Sequence, residues 1–481
     1  RDFCLSRGLG DVYKRQVEVD LIIMVKGVLI MLLCVSVENY KSFDQREELS
    51  LISSSKIQTN KSHRVKIKQT NILKNAVVYG ANASGKSNLV KAIAFMKNTL
   101  IEGLSVRSVN DFCRNCAENQ SRESVFELQF TVEDKFYAYG FSAILNQRKI
   151  TEEWLYELMQ DGSAHNLFLR EMDKSPMLGD GVNLSASEKN RFSVYAEDFV
   201  GHDAQLFLAE MNRGKKYDDN SKLLFFKKTF QWIMNDIIVI NPNIGISNTD
   251  AYYNDQSLET ISNLIRTFDT GVSEIKTKQI TVEEMSQMLP KEVISEIFDT
   301  LKKQMQMTNL PQLKMTWRFD DGFFNIRIQE AGEPEITTLA LKHGKSIFDF
   351  SFNDESDGTK RLFDLIDMLM SKREDVVFVV DELERSLHPK LTEHFLKLFM
   401  EVHADDRVQL VFTTHEDTIM DQELFRRDEI WFGERDSVNA SKIYSLDRFK
   451  ERYDKKLSKA YLEGRYGAIP VFKQFTFKKE V

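Results

Sequence analysis

Ala76-Val77-Val78-Tyr79-Gly80-Ala81-Asn82-Ala83-Ser84-Gly85-Lys86-Ser87-Asn88 is the stretch on which the reading of this chain turns. A short apolar strand, 76–79, runs straight into a glycine loop. Residues 88–99 follow with Leu89, Ile93 and Met96 at helical spacing. Residues 80–87 fit the pattern G-x-x-x-x-G-K-[ST] in its required context of strand, loop and helix. Glycines let the backbone curl until its N–H groups face one point, and the helix behind offers its positive N-terminus to that same point. Such a cradle suits a polyphosphate. Lys86 is placed to bridge the outer phosphates, and the Ser87 hydroxyl to hold Mg2+. The predicted binding set is Gly80, Ala81, Asn82, Ala83, Ser84, Gly85, Lys86, Ser87 and Asn88.

A phosphate loop needs an acid to hold the metal and another to activate water. Val376-Val377-Phe378-Val379-Val380 is an apolar strand ending in Asp381-Glu382. Ligands bind at that edge of a parallel sheet. Asp381 is assigned to Mg2+, and Glu382 to orienting and polarising the attacking water. A later apolar strand, 409–413, leads to Thr413-Thr414-His415, where the imidazole can hydrogen-bond a terminal phosphate and sense its loss. Glu355-Ser356-Asp357-Gly358-Thr359 caps a helix over 360–370. A serine, a glycine and a helix N-terminus form a second phosphate-binding end, with Ser356, Asp357 and Gly358 as its residues.

The rest of the chain supplies the frame. Residues 32–37 read as a strand. Phe126, Leu128, Phe130 and Val132 alternate on one face, and a second strand over 136–144 follows the polar turn Glu133-Asp134-Lys135. This predicts an antiparallel sheet. Residues 185–310 read as mostly helical, with candidates at 206–211, 223–240 and 283–307; alternation returns over 315–328. Continuous apolar strands alternating with helices in the last part predict a parallel sheet covered on both faces. The expected fold is α/β: a nucleotide-binding head with an antiparallel β subdomain and a mostly helical insertion.

Four divisions are expected: 1–30 an upstream or non-native extension ahead of a start at Met31, 31–170 a first lobe, 171–340 the insertion, and 341–481 a second lobe. The 481 residues carry a formal net charge of -8, which argues against a general nucleic-acid coat. Lys61, His63, Arg64, Lys66 and Lys68 form the densest basic run. Four cysteines suit a reducing cytosol. Cys113 and Cys116 make one CxxC without the second pair a zinc site needs. The apolar stretch 21–37 is not read as a membrane span, because it is short and Lys26 and Gly27 interrupt it. A cytoplasmic protein is expected.

These motifs, with Ser386-Leu387-His388-Pro389 beyond the acidic pair, resemble the ABC-type ATPases of the SMC/RecF/OLD branch of the AAA family. The start Val37-Glu38-Asn39-Tyr40-Lys41-Ser42-Phe43 and the ending Gly464-Arg465-Tyr466-Gly467-Ala468-Ile469-Pro470 are similar to the RloA/AbiLi-like phage-defence ATPases. The resemblance implies ATP and Mg2+ as cofactors and hydrolysis of ATP to ADP and phosphate. Lys86, Glu382 and His415 would be catalytic, and Lys41 and Ser42 would lie near the nucleotide. It also implies a head-to-head homodimer, or a higher oligomer built from it. Each ATP would lie between residues 80–87 of one subunit and Ser356–Gly358 of the other.

About 65 residues follow His415, which is short for the Toprim nuclease domain that OLD proteins carry there. The resemblance therefore implies a sensor or regulatory subunit of an anti-phage defence system. Its effector would be a separate protein, a Toprim-type or RNA-cleaving nuclease. A RecF-like DNA repair ATPase is the alternative, with nucleic acid as its partner and a basic stripe on the dimer as its signature.

Overall fold

The computed structural model describes residues 30–159, 161–241, 255–308, 312–319, 322–329, 333–371, 373–450 and 456–469. The expected 1–30 extension lies almost wholly outside them. The chain divides into two compact units. Among the described residues, one comprises those of 30–239, 373–384 and 403–469; the other holds those of 240–372 and 385–402.

The first unit is built on two sheets. Its mainly parallel sheet, with an antiparallel edge strand at Ser441–Ser445, runs in the order Ile237–Ile240, Val377–Val380, Gln409–Thr413, Asn75–Tyr79, Ile430–Arg435, Ser441–Ser445. The three strands from Val377 to Tyr79 in that order are mutually parallel and buried on both faces. That is why their sequences are continuous apolar runs and not alternating ones. The register sets Val380 beside Phe412, and Phe412 beside Val77. The loops that follow all three strands therefore emerge side by side at one edge.

The second sheet is antiparallel and seven-stranded. At its centre Ser124–Val132 pairs with Ile30–Glu38 on one side and Lys135–Ile144 on the other. The helix Lys86–Glu102 packs on it, with Phe95 4.8 Å from Phe126 and 5.3 Å from Tyr40, ring centre to ring centre. Buried Gln409 ties this sheet to the parallel one. Its amide accepts from Leu32 N at 2.6 Å and donates to Leu32 O and Leu73 O at 2.9 Å each, so no polar atom of it is left unpaired.

Residues 171–239 stay with this unit. Phe192, Phe207, Phe226 and Trp232 enter the same core as Phe126 and Phe168, so the boundary expected near 170 falls inside a continuous core. The helix expected over 223–240 is shorter. Leu224–Gln231 is α-helical, 232–236 widens into a π turn, and Ile237–Ile240 becomes a strand. Four consecutive β-branched residues favour extended backbone once a sheet edge is available.

The other unit is mixed, not mainly helical. Val272–Ile280, Glu335–His343, Gly322–Gln329 and Gln312–Phe319 form an antiparallel sheet, with Phe350–Ser351 added beside Glu335–His343. The helix expected over 283–307 is two, Val282–Met288 and Lys291–Thr308. Pro290 lies at the break, where it starts a helix more readily than it continues one. The capped helix is present as Asp357–Leu369. Ser356 is its N-cap, and its hydroxyl accepts from Thr359 N at 3.1 Å.

Candidate nucleotide site

The site forms where the Asn75–Tyr79, Gln409–Thr413 and Val377–Val380 strands end. Gly80 follows the first strand directly. A Cβ there would sit 2.3 Å from Gly433 O, so only glycine lets the loop lie against the neighbouring strand. Gly85, at φ 102°, caps the helix Lys86–Glu102, and a Cβ on it would meet the Ser441 hydroxyl at 2.2 Å. Gly85→Ala is therefore expected to cost both stability and nucleotide affinity. A differential scan and a binding titration would read the two losses; a variant that keeps both would show that the loop yields.

Lys86 is buried, and its ammonium donates to Gly80 O at 2.7 Å and Ala81 O at 3.1 Å. The carbonyls of the loop thus hold the cation that a phosphate would take. Burial lowers its pKa to about 8 against the opposing charges of Glu384, Asp381 and Glu382. Ser84 Oγ is buried with no partner among the described residues, an open donor inside the cradle. Loop and lysine together fit a polyphosphate.

Asp381 is buried and accepts from Ser87 Oγ at 3.0 Å and Thr413 Oγ1 at 2.7 Å. A hydroxyl and a carboxylate in direct contact are hard oxygen donors of the kind Mg2+ takes when it keeps several waters and phosphate oxygens as its other ligands. Mg2+ bound there would offset phosphate charge. Thr413 Oγ1 also accepts the Glu382 N–H at 2.9 Å, and Glu382 stands at φ 49°, a left-handed conformation rare for a non-glycine residue. The chain thus turns immediately after Asp381, which separates the directions of the two neighbouring acids.

His415 Nδ1 lies 3.4 Å from Lys86 Nζ. An ammonium has no acceptor, so Nδ1 carries the lone pair and Nε2 the proton. Burial, then the charge of Lys86, lowers the His415 pKa and keeps the ring neutral at pH 7. A neutral imidazole with Nε2–H is a donor suited to a phosphate oxygen.

Ser42 is close by: its Oγ accepts from Asn88 Nδ2 at 2.8 Å and from Ser441 Oγ at 2.7 Å. Lys41 is engaged elsewhere. Its ammonium and its backbone N–H both bond Asp111, at 2.5 and 2.7 Å. Ser356, Asp357 and Gly358 belong to the other compact unit. There a Cβ on Gly358 would sit 2.8 Å from Ser386 O. Lys86, Ser87, Asp381, Glu382 and His415 are thus brought together within one unit. The basic run is partly consumed by internal bonds, His63 lying 3.0 Å from the buried Glu429 carboxylate.

Residues 76–421, about seven-tenths of the chain, match the family described as "AAA domain, putative AbiEii toxin, Type IV TA system". The chain belongs to this family. No curated protein matches it. Among solved structures, the SMC head domain from Thermotoga maritima is 13% identical, with 86% of this chain and 98% of that one covered, at a TM-score of 0.33. The Smc head domain derived from Pyrococcus furiosus, bound to the C-terminal domain of ScpA, is 14% identical over 91% of this chain and 99% of that one, at 0.33. An SmcHead bound to the C-winged helix domain of ScpA gives 14%, 90%, 99% and 0.35. These likenesses are too loose to carry an argument.

Two members of the site in this AAA-family chain escape a reading of motifs. Glu384 accepts the His415 N–H at 2.6 Å, and its other carboxylate oxygen is buried without a partner among the described residues. It fixes the main chain of the histidine and adds negative charge beside Lys86. Spacing of two from Glu382 could have flagged it, since alternate residues past a strand end can share a face. Ser441 left no signal, because only the sheet brings it to Gly85. Among the described residues no cluster of three or more His, Cys, Asp or Glu side chains could hold a metal; Cys113 and Cys116 are free thiols. No helix among them is long and apolar enough to cross a membrane.

Proposed function

We propose that this chain is a Mg2+-dependent ATPase that works as a switch. One observation carries the reading: Lys86, Ser87, Asp381, Glu382, Thr413 and His415 meet at one edge of three adjacent parallel strands. Residues 80–87 and Lys86 hold the phosphates, Ser87 and Asp381 hold Mg2+, and Glu382 draws the proton from the attacking water. His415 donates Nε2–H to the terminal phosphate. In this reading Ser356–Gly358 of a second copy close the site, so that ATP holds a homodimer and hydrolysis releases it.

The biological setting we propose is bacterial anti-phage defence in the cytoplasm, with a separate effector, a Toprim-type or RNA-cleaving nuclease. Membership of the family described as "AAA domain, putative AbiEii toxin, Type IV TA system" supports that setting. Purification of the native complex tests it: a partner nuclease is expected, and full protection by this chain alone would sink the idea.

Lys86→Ala tests the site itself. Removing the cation from the β- and γ-phosphates is expected to weaken ATP binding or lower hydrolysis by about 100-fold, in the range of lost electrostatic stabilisers. Turnover at the parent rate would refute the assignment.

A further inference from the structure

We infer that residues 457–468 form a C-terminal hook that holds the phosphate loop in its binding shape, so that the tail and the nucleotide are thermodynamically coupled. The inference rests on reading residues 80–87 as the nucleotide loop. The hook lies beyond the family-matched stretch, which ends at 421, yet it bonds the loop directly. The Ala81 N–H donates to Ala468 O at 2.9 Å. The Tyr461 hydroxyl donates to the same oxygen at 3.0 Å. Both lone pairs of that carbonyl are therefore used, which fixes its direction.

The sequence explains how the chain turns to deliver that carbonyl. The helix Leu457–Leu462 ends in a Schellman turn: Arg465 N donates to Ala460 O at 3.1 Å and Gly464 N to Tyr461 O at 2.8 Å, with Gly464 at φ 76°. Gly467, at φ 71°, reverses the chain again. A Cβ there would lie 2.7 Å from Tyr444 Oη and 2.9 Å from Glu434 Oε2. Ala468 itself is left-handed at φ 56°, a conformation an alanine keeps only when its surroundings impose it.

Those surroundings are aromatic. The Tyr461 and Tyr466 rings each lie 5.6 Å from Phe432, and Tyr461 lies 6.2 Å from Tyr79, the last strand residue before Gly80. The hook thus grips the loop from both ends of its first turn: Tyr79 by packing and Ala81 by a hydrogen bond.

Coupling is reciprocal. If the hook shapes the loop, ATP must also steady the hook. Hydrogen exchange of residues 76–86 in the nucleotide-free full chain is the first test. Tyr461→Phe removes one hydroxyl and no volume elsewhere; Gly467→Ala adds a methyl where the backbone is left-handed. Both are expected to speed loop exchange by about 5-fold or more, with Leu462→Ala, on the exposed side of the same helix, as the neutral control. Far-UV circular dichroism checks that each variant is folded, and Tyr461→Phe keeps the test open should Gly467→Ala not fold. In turnover the variants should raise the KM for ATP by about 5-fold and leave kcat within about 2-fold, because Glu382, Ser87 and Asp381 are untouched. Finally, ATP should slow exchange of residues 457–468 in the parent protein. Unchanged loop exchange in both variants overturns the hook. A parent protein that binds no ATP overturns the nucleotide reading instead, and leaves the nucleotide-free exchange result to decide the hook.

Discussion

Glu382→Gln should keep its nucleotide and lose hydrolysis by about 100-fold or more, the scale of a removed general base. The substitution keeps the size of the side chain and leaves the backbone alone. The Glu382 N–H still donates to Thr413 Oγ1, and the left-handed turn after Asp381 still stands. Asp381, Ser87 and Lys86 are untouched, so affinity for Mg2+ and ATP should change by no more than about 3-fold. In the switch reading, ATP then accumulates unhydrolysed, and light scattering should find a persistent dimer with ATP and a monomer without it. A variant that turns over at the parent rate removes Glu382 from the mechanism. One that holds ATP yet stays monomeric removes the sandwich and leaves the ATPase.

Arg426→Ala should be among the most destabilising single changes, by about 3–5 kcal/mol, the cost of stranding one member of a buried ion pair. Arg426 is fully buried. Its guanidinium meets Asp428 with two bonds, at 3.0 and 2.8 Å, and reaches Ser53 Oγ at 3.0 Å, Ile57 O at 3.2 Å and Thr59 O. The side chain therefore staples residues 53–59 to the turn 426–429, more than 360 positions away in the chain. Alanine leaves the buried Asp428 carboxylate and two backbone carbonyls without their strongest donor. Removing both charges, as in Arg426→Met with Asp428→Leu, should cost less than the single change, because no bare charge is left behind. The urea midpoint of the first unfolding transition reads this difference. A loss under about 1 kcal/mol for Arg426→Ala would mean that water or a neighbouring side chain takes over the role.

The nucleotide loop was legible because its chemistry is local. Glycine spacing, the lysine and the hydroxyl all sit within eight positions, and the strand before and helix after are set by short-range pattern. The acids of 381–382 were legible for the same reason, as the end of a buried apolar run. Where a helical pattern runs on into a sheet edge, the reading overshoots: residues 237–240 close the helix expected over 223–240, yet as four β-branched residues they join the sheet beside Val377–Val380. A break at Pro290 is visible in the chain, but which side of it packs where is not.

The roles of Glu384, Ser441 and Ala468 are of another kind. Glu384 and Ser441 stand in no motif, Ala468 stands in the ending 464–470 without a role read from it, and each acts through a partner far along the chain: the amide of His415, the Cβ-free space at Gly85, the N–H of Ala81. Sequence alone set the expected type of site, because the glycines, the lysine and the hydroxyl of a phosphate loop all lie in one short segment. Only the tertiary structure decided how that cradle is held. The parallel register sets Val380 next to Phe412 and Phe412 next to Val77, and so brings three distant loops to one edge. A hydrogen bond to a backbone N–H depends on where two chain segments meet, and side-chain identity does not record that meeting.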